Sequence, residues 1–275
     1  MRRLLTVLGS AFCLVLGLAG PAGAAKPTAS TNTLPSSMAS TGDSITRAFD
    51  ATSSGCFLSD CPQYSWSTGT STAVTSQYQR IVKKNRKISG NGHNNAVTGA
   101  KMGDLDRQLQ VAASQSVDYV TVLMGANDLC TSSTSTMTPT ATFQSQLQTA
   151  LTNYFAARPS SKMFVSSIPN IYQLWSVLHT NFSAVSTWTL FGICQAMLST
   201  SNSSADRQAV VAQEAADNNV LATVCAQFAN CRWDGYATYN TAFSASDVST
   251  VDYFHPSIQG QNKLASVTWA ASYWG

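Results

Sequence analysis

Apolar positions along this chain follow two rhythms. Short, nearly uninterrupted apolar or small-residue runs read as strands covered on both faces: Met38 to Gly42, Asp118 to Met124 and Lys162 to Ile168. Between them, apolar residues recur at helical spacing. A helix is expected from Ala73 to Asn85, carrying Val74, Tyr78, Ile81 and Val82, and another from Gly103 to Ala113, carrying Leu105 and Leu109. Phe143, Leu147, Leu151 and Phe155 predict a helix over 141–157, and Val210, Val211, Val220, Leu221 and Val224 predict one over 205–228. Pro256 suits the start of a closing helix over 257–273. A further strand candidate precedes Val97-Thr-Gly-Ala100. Strands that alternate with helices predict a parallel sheet sandwiched by helices, in one α/β domain.

The first residues stand apart from that pattern. Arg2 and Arg3 precede an apolar run from Leu4 to Leu18, and Pro21-Ala-Gly-Ala-Ala25 follows. A charged start, an apolar stretch too short to span a membrane and a small-residue site make a secretory signal peptide over 1–25. Lys26 to Pro35 is rich in Ser, Thr and Ala and reads as a flexible leader, which leaves 36–275 as the domain. Loss of Arg2 and Arg3 lowers the formal charge from +3 to +1, and nothing in that balance points to nucleic acid. Lys83, Lys84, Arg86 and Lys87 read as a solvated helix end, with contact to anionic lipid headgroups as the alternative. Glu214 is the sole glutamate, so any paired-carboxylate chemistry would fall to aspartates. Seven cysteines become six once Cys13 leaves, which predicts three disulfides in a secreted chain. Proximity suggests Cys56–Cys61 and Cys225–Cys231, leaving Cys130–Cys194.

Candidate chemistry begins at Thr41-Gly-Asp-Ser-Ile-Thr-Arg47. Ser44 would stand just beyond the first strand, at the sheet edge where open α/β sheets place their sites. A serine hydroxyl needs a base before it is a nucleophile. His255 can be that base: Asp252 lies three residues before it, so one turn supplies both the imidazole and the carboxylate that orients it. Gly99 could offer a backbone N–H and Asn127, in Gly125-Ala-Asn-Asp128, a side-chain amide, each just after a strand. Alone, each of these segments is an ordinary turn.

Taken in order, Gly42-Asp-Ser-Ile45, Gly99, Gly125-Ala-Asn-Asp128 and Asp252-x-x-His255 resemble the blocks of the GDSL, or SGNH, hydrolase family. Ile45 stands where the family name has Leu. The resemblance spans the mature chain and implies a flavodoxin-like three-layer α/β/α fold and ester hydrolysis. It implies Ser44, Asp252 and His255 as catalytic residues and Ser44, Gly99 and Asn127 as the oxyanion hole, with no metal or other cofactor. The signal peptide and six cysteines narrow it to the secreted bacterial lipase, esterase and phospholipase A branch, for which the same three disulfide pairs are implied.

Substrate choice is read from the dense apolar stretch between Ile168 and Leu198. It reads as an acyl-chain groove or interfacial surface, as helices packed on the sheet, or as both. Ile171, Leu174, Trp175 and Leu178 are its candidate substrate contacts. The expected partner is therefore a lipid or other ester, met at a membrane or micelle interface by a secreted monomer. A carbohydrate O-deacetylase on the same fold and a non-catalytic secreted binding module are the alternatives. An α/β-hydrolase is disfavoured because no G-x-S-x-G occurs. A chymotrypsin-type protease is disfavoured because His255 follows the serine.

Overall fold

The computed structural model describes residues 33–275. The expected signal peptide and most of the leader lie outside them. The last leader residues are not loose: Asn85 Nδ2 donates to the carbonyls of Leu34 and Pro35. Five strands form one sheet: β1 (Met38–Gly42), β2 (Gly92–Asn94), β3 (Tyr119–Leu123), β4 (Lys162–Val165) and β5 (Cys231–Trp233). Every pairing is parallel and the order is β2-β1-β3-β4-β5. This is the flavodoxin-like order, with a switch point between β1 and β3.

The helices among the described residues are α1 (Gln77–Lys84), α2 (Leu105–Ser114), α3 (Ala126–Leu129), α4 (Thr140–Ala157), α5 (Ile171–Leu178), α6 (Phe182–Phe191), α7 (Gln195–Leu198), α8 (Ser204–Cys225) and α9 (Ile258–Ala271). The chain steps one way from β1 to β2 and the other way from β2 through β5. Right-handed crossovers then put the intervening helices on opposite faces. α2, α4 and α8 pack side by side as one layer, and α1 meets α9 in the other. Each residue of β1 and β3 is buried, as a sheet covered on both faces demands.

Three elements depart from the sequence pattern for local reasons. α1 starts at Gln77, because the Ser76 side chain caps it by accepting from the Gln79 N–H, so Val74 is buried from a loop. β4 ends at Val165. Ser166 and Ser167 turn their hydroxyls to the Asp234 carboxylate, and the Ile168 N–H turns to Asn218 Oδ1. β5 is three residues long and has no apolar run to announce it. Disulfides join Cys56 to Cys61, Cys130 to Cys194 and Cys225 to Cys231.

Candidate active site

β1 and β3 end side by side, with Gly42 paired in register to Leu123. Whatever follows these strands meets at the switch-point crevice. Ser44 lies two residues past β1, Asn127 four residues past β3, and both line one cleft of about 340 Å³ together with Gly99, Asp252 and His255.

The turn carrying Ser44 is held on both sides. Gly42 has φ +147°, and an added Cβ would lie 2.3 Å from the Leu123 carbonyl oxygen, so only glycine fits there. Gln108 of α2 clamps the same residue: its Oε1 accepts from the Gly42 N–H at 2.8 Å and its Nε2 donates to the Gly42 carbonyl at 2.9 Å. Beyond Ser44, Gln261 of α9 donates to the Ile45 carbonyl at 2.7 Å and accepts from the Trp66 N–H. Neither glutamine is among the candidates read from the sequence. Their only signal is a polar residue on the apolar face of a helix, as Gln108 is one turn from Leu105. Asp43 is wholly buried and its Oδ1 accepts from the Ile45 N–H at 2.9 Å. Burial pushes its carboxyl up to about 7.

His255 Nε2 lies 2.8 Å from Ser44 Oγ, and His255 Nδ1 hydrogen-bonds to Asp252 Oδ2. Asp252 Oδ1 accepts the backbone N–H groups of Phe254 and His255 at 2.9 and 3.0 Å, so one carboxylate shapes the turn and orients the ring. Burial alone would raise the Asp252 carboxyl. The His255 hydrogen bond and charge, with the two N–H groups, win and hold it below the ordinary carboxylate value. The turn is pinned from outside by Trp188 of α6, whose indole N–H donates to the Tyr253 carbonyl at 2.9 Å. Phe49 and Phe254 flank the imidazole.

Gly99 has φ +83°, a conformation that favours glycine. Its loop is tied to the segment after β3. Asn127 Nδ2 donates to the Ala100 carbonyl at 3.0 Å, and Asp128 Oδ2 accepts from the Met102 N–H at 2.9 Å. A primary amide has two N–H bonds, so Asn127 keeps one for the cleft. Burial raises the Asp128 carboxyl.

The four candidate substrate contacts lie elsewhere. Ile171 and Leu174 line a separate, small apolar cavity of about 70 Å³, with Ile45 and Phe254 in its wall. Leu178 is buried in the core. Trp175 lies under the Arg207 guanidinium and stacks on His179. None of the four lines the Ser44 cleft. The reason is the seat of α5: Asn170 caps it, and the Glu214 carboxylate accepts the Ile171 N–H, so its apolar face turns to the core. Phe191 and Ile193, farther along the same apolar stretch, do line the cleft, as do Phe57 and Leu58 of the Cys56–Cys61 loop.

With this geometry in view, the profile of the GDSL-like lipase/acylhydrolase family matches residues 41–263. The chain belongs to this family. As a GDSL-like acylhydrolase it is a carboxylic ester hydrolase. A structure described as a GDSL-like lipase from Parabacteroides merdae superposes with a TM-score of 0.55 at 13% identity, over 86% of this chain and 95% of that one. An acetyl xylan esterase gives 0.52 at 15% identity over 85% and 98%. Phospholipase A1 from Streptomyces albidoflavus gives 0.50 at 16% identity over 86% and 99%. At such identities these likenesses speak for the fold of a GDSL-like acylhydrolase and not for a substrate. No curated protein sequence matches the chain.

Proposed function

We propose that this acylhydrolase is a secreted lipid esterase of the lipase or phospholipase A type, acting through an acyl-enzyme on Ser44. His255 takes the Ser44 proton while Oγ attacks the ester carbonyl; the 2.8 Å contact supports that role. Asp252 keeps the ring in the tautomer whose Nε2 is free to accept and stabilises the imidazolium that forms. The oxyanion is held by the N–H groups of Ser44 and Gly99 and by the free N–H of Asn127. His255 returns the proton to the leaving alcohol, and water then resolves the acyl-enzyme by the same steps in reverse.

The lipid reading rests on the rim of the cleft. Phe57, Leu58 and Phe191 are 64%, 58% and 64% exposed, yet all three line it. Large apolar side chains standing in water at the mouth of a site mark a surface for an apolar partner. An acyl chain is the partner that an ester hydrolase would bring there. Among the structural neighbours, one is named a phospholipase A1 and another an acetyl xylan esterase, so acetyl removal from a carbohydrate is the competing outcome. Secretion is supported by the Arg2 to Ala25 segment and by three disulfides, which persist in oxidising compartments. Residues 36–275 would be the catalytic domain.

The test is a panel of p-nitrophenyl esters of rising chain length, triacylglycerol, phosphatidylcholine and acetylated xylan, run with wild type and Ser44→Ala. Wild type should prefer acyl chains over acetyl, since each buried CH₂ adds roughly 0.8 kcal/mol. Preference for acetyl would reject the lipid reading. Activity retained in Ser44→Ala would reject the nucleophile.

A further inference from the structure

Asp50 has no part in the steps above, yet its carboxyl is fully buried at the triad. Its backbone is in the left-handed region at φ +53°. The residue is locked there by its N–H donating to the Ser59 carbonyl at 3.2 Å and by the Ser249 hydroxyl donating to its own carbonyl. Oδ1 accepts from the Leu58 N–H. Oδ2 is buried and meets no protein donor among the described residues. The side chain lines the Ser44 cleft with Asp252 and lies within hydrogen-bonding reach of the Asp252 carboxylate.

Two ionised carboxylates repel and neither can donate, so a hydrogen bond between them needs a proton. Burial first, and then the Asp252 charge, push the Asp50 carboxyl up to about 6. Asp252, tied to His255, is held low. Below about pH 6, where the pair holds a proton, that proton therefore resides on Asp50. Of the titratable groups packed around it, Asp252 and His255 face it. Arg47 and Asp60, on the neighbouring turn and disulfide loop, are engaged with one another.

We propose that Asp50 is a positioning residue for the triad: its neutral carboxyl donates a hydrogen bond from Oδ2 to Asp252, and its ionisation sets a second carboxylate against the His255 imidazolium. This rests on the assignment of Ser44, Asp252 and His255 made above. While Asp50 is neutral, it braces Asp252. Once it ionises, the extra negative charge favours imidazolium over free base, and the acid limb of the kcat/KM profile moves to higher pH.

Asp50→Asn separates the two effects, because an amide keeps a donor to Asp252 and cannot ionise. The acid limb should fall by about one pH unit, for an interaction of roughly one to two pH units between the two charges. The variant should then be about two- to threefold more active than wild type near pH 7, with the curves converging toward pH 5, where the side chain at position 50 is neutral in both. Near pH 5, where the wild-type carboxyl is neutral and donates, Asp50→Ala, which has no donor, should run about tenfold or more below wild type, and Asn should restore the rate. A purely structural role would lower stability and leave the acid limb in place. An Asp50→Asn profile that superimposes on wild type, or an Asn rate near pH 5 as low as that of Ala, overturns the proposal. If Asp50→Asn does not fold, the carboxyl carbon-13 NMR resonance of Asp50 in wild type is the second readout. It should titrate near pH 6, and an Asp50 carboxyl that titrates in the ordinary carboxylate range also overturns the proposal. Ser44→Ala and Asp252→Asn, assayed in parallel, separate the failures: activity in Ser44→Ala breaks the triad assignment, whereas inactive controls with an unmoved Asp50→Asn limb break only this inference.

Discussion

Glu214→Gln should make the protein markedly more stable at neutral pH than at acid pH, relative to wild type. Glu214 lies on α8 and is fully buried. Oε1 accepts the Ile171 N–H at 3.1 Å, while Oε2 is buried without a hydrogen-bond partner among the described residues. Burial, with the Asp217 charge adding to it, pushes its carboxyl from 4.5 up to about 8. Because the folded state binds the proton more tightly than the unfolded chain, stability is full below the unfolded value and is lost as pH rises from about 4.5 to about 8. At pH 7 the unfolded chain has released the proton and the folded protein has not. Two and a half pH units above the unfolded value correspond to about 3 kcal/mol in favour of unfolding. Glutamine keeps a carbonyl for Ile171 and has no proton to release. Its packing cost is the same at every pH, so it cancels from the comparison. Urea unfolding of both proteins, disulfides intact, should show the stability difference growing by about 3 kcal/mol between pH 4.5 and pH 7. Parallel curves would mean that Glu214 is ionised in the fold, and the reasoning from burial would fail.

Gly42→Ala forces a Cβ against the Leu123 carbonyl at a positive φ, so it should cost at least about 2 kcal/mol in thermal unfolding and lower kcat by displacing Ser44; wild-type values for both would refute the close-packing account. Asn127→Ala should lower kcat about 10²–10³-fold with KM little changed, and a loss below about tenfold would remove Asn127 from the oxyanion hole. Replacing Cys130 and Cys194 together by serine removes a cross-link between residues 64 apart, worth about 4 kcal/mol, and the urea midpoint should fall accordingly. Both cysteines line the cleft, so kcat/KM should fall with it, and an unchanged kcat/KM would show that the cross-link does not shape the site.

Sequence alone determined what depends on local spacing. The uninterrupted run at Tyr119–Leu123 and the four-residue spacing of Phe143, Leu147 and Leu151 are properties of single elements, and they read correctly. Asp252 and His255 are neighbours in one turn, so their contact needed only the turn. Ser44 and Asn127 each follow a strand, and the parallel sheet brings such positions to one edge. Tertiary structure alone decided which side chains arrive there from a distance. Gln108 and Gln261 reach the serine turn from two helices in different layers, and nothing in their own neighbourhoods marks that target. The apolar stretch between Ile168 and Leu198 was visible as apolar, but hydrophobicity has no direction. The Asn170 cap and the Glu214 contact turned Ile171 and Leu178 inward, and the chain brought Phe191 and Ile193 to the cleft instead. Asp50 and Asp252 stand 202 residues apart in sequence, and only the packing of their two loops presses one carboxyl against the other.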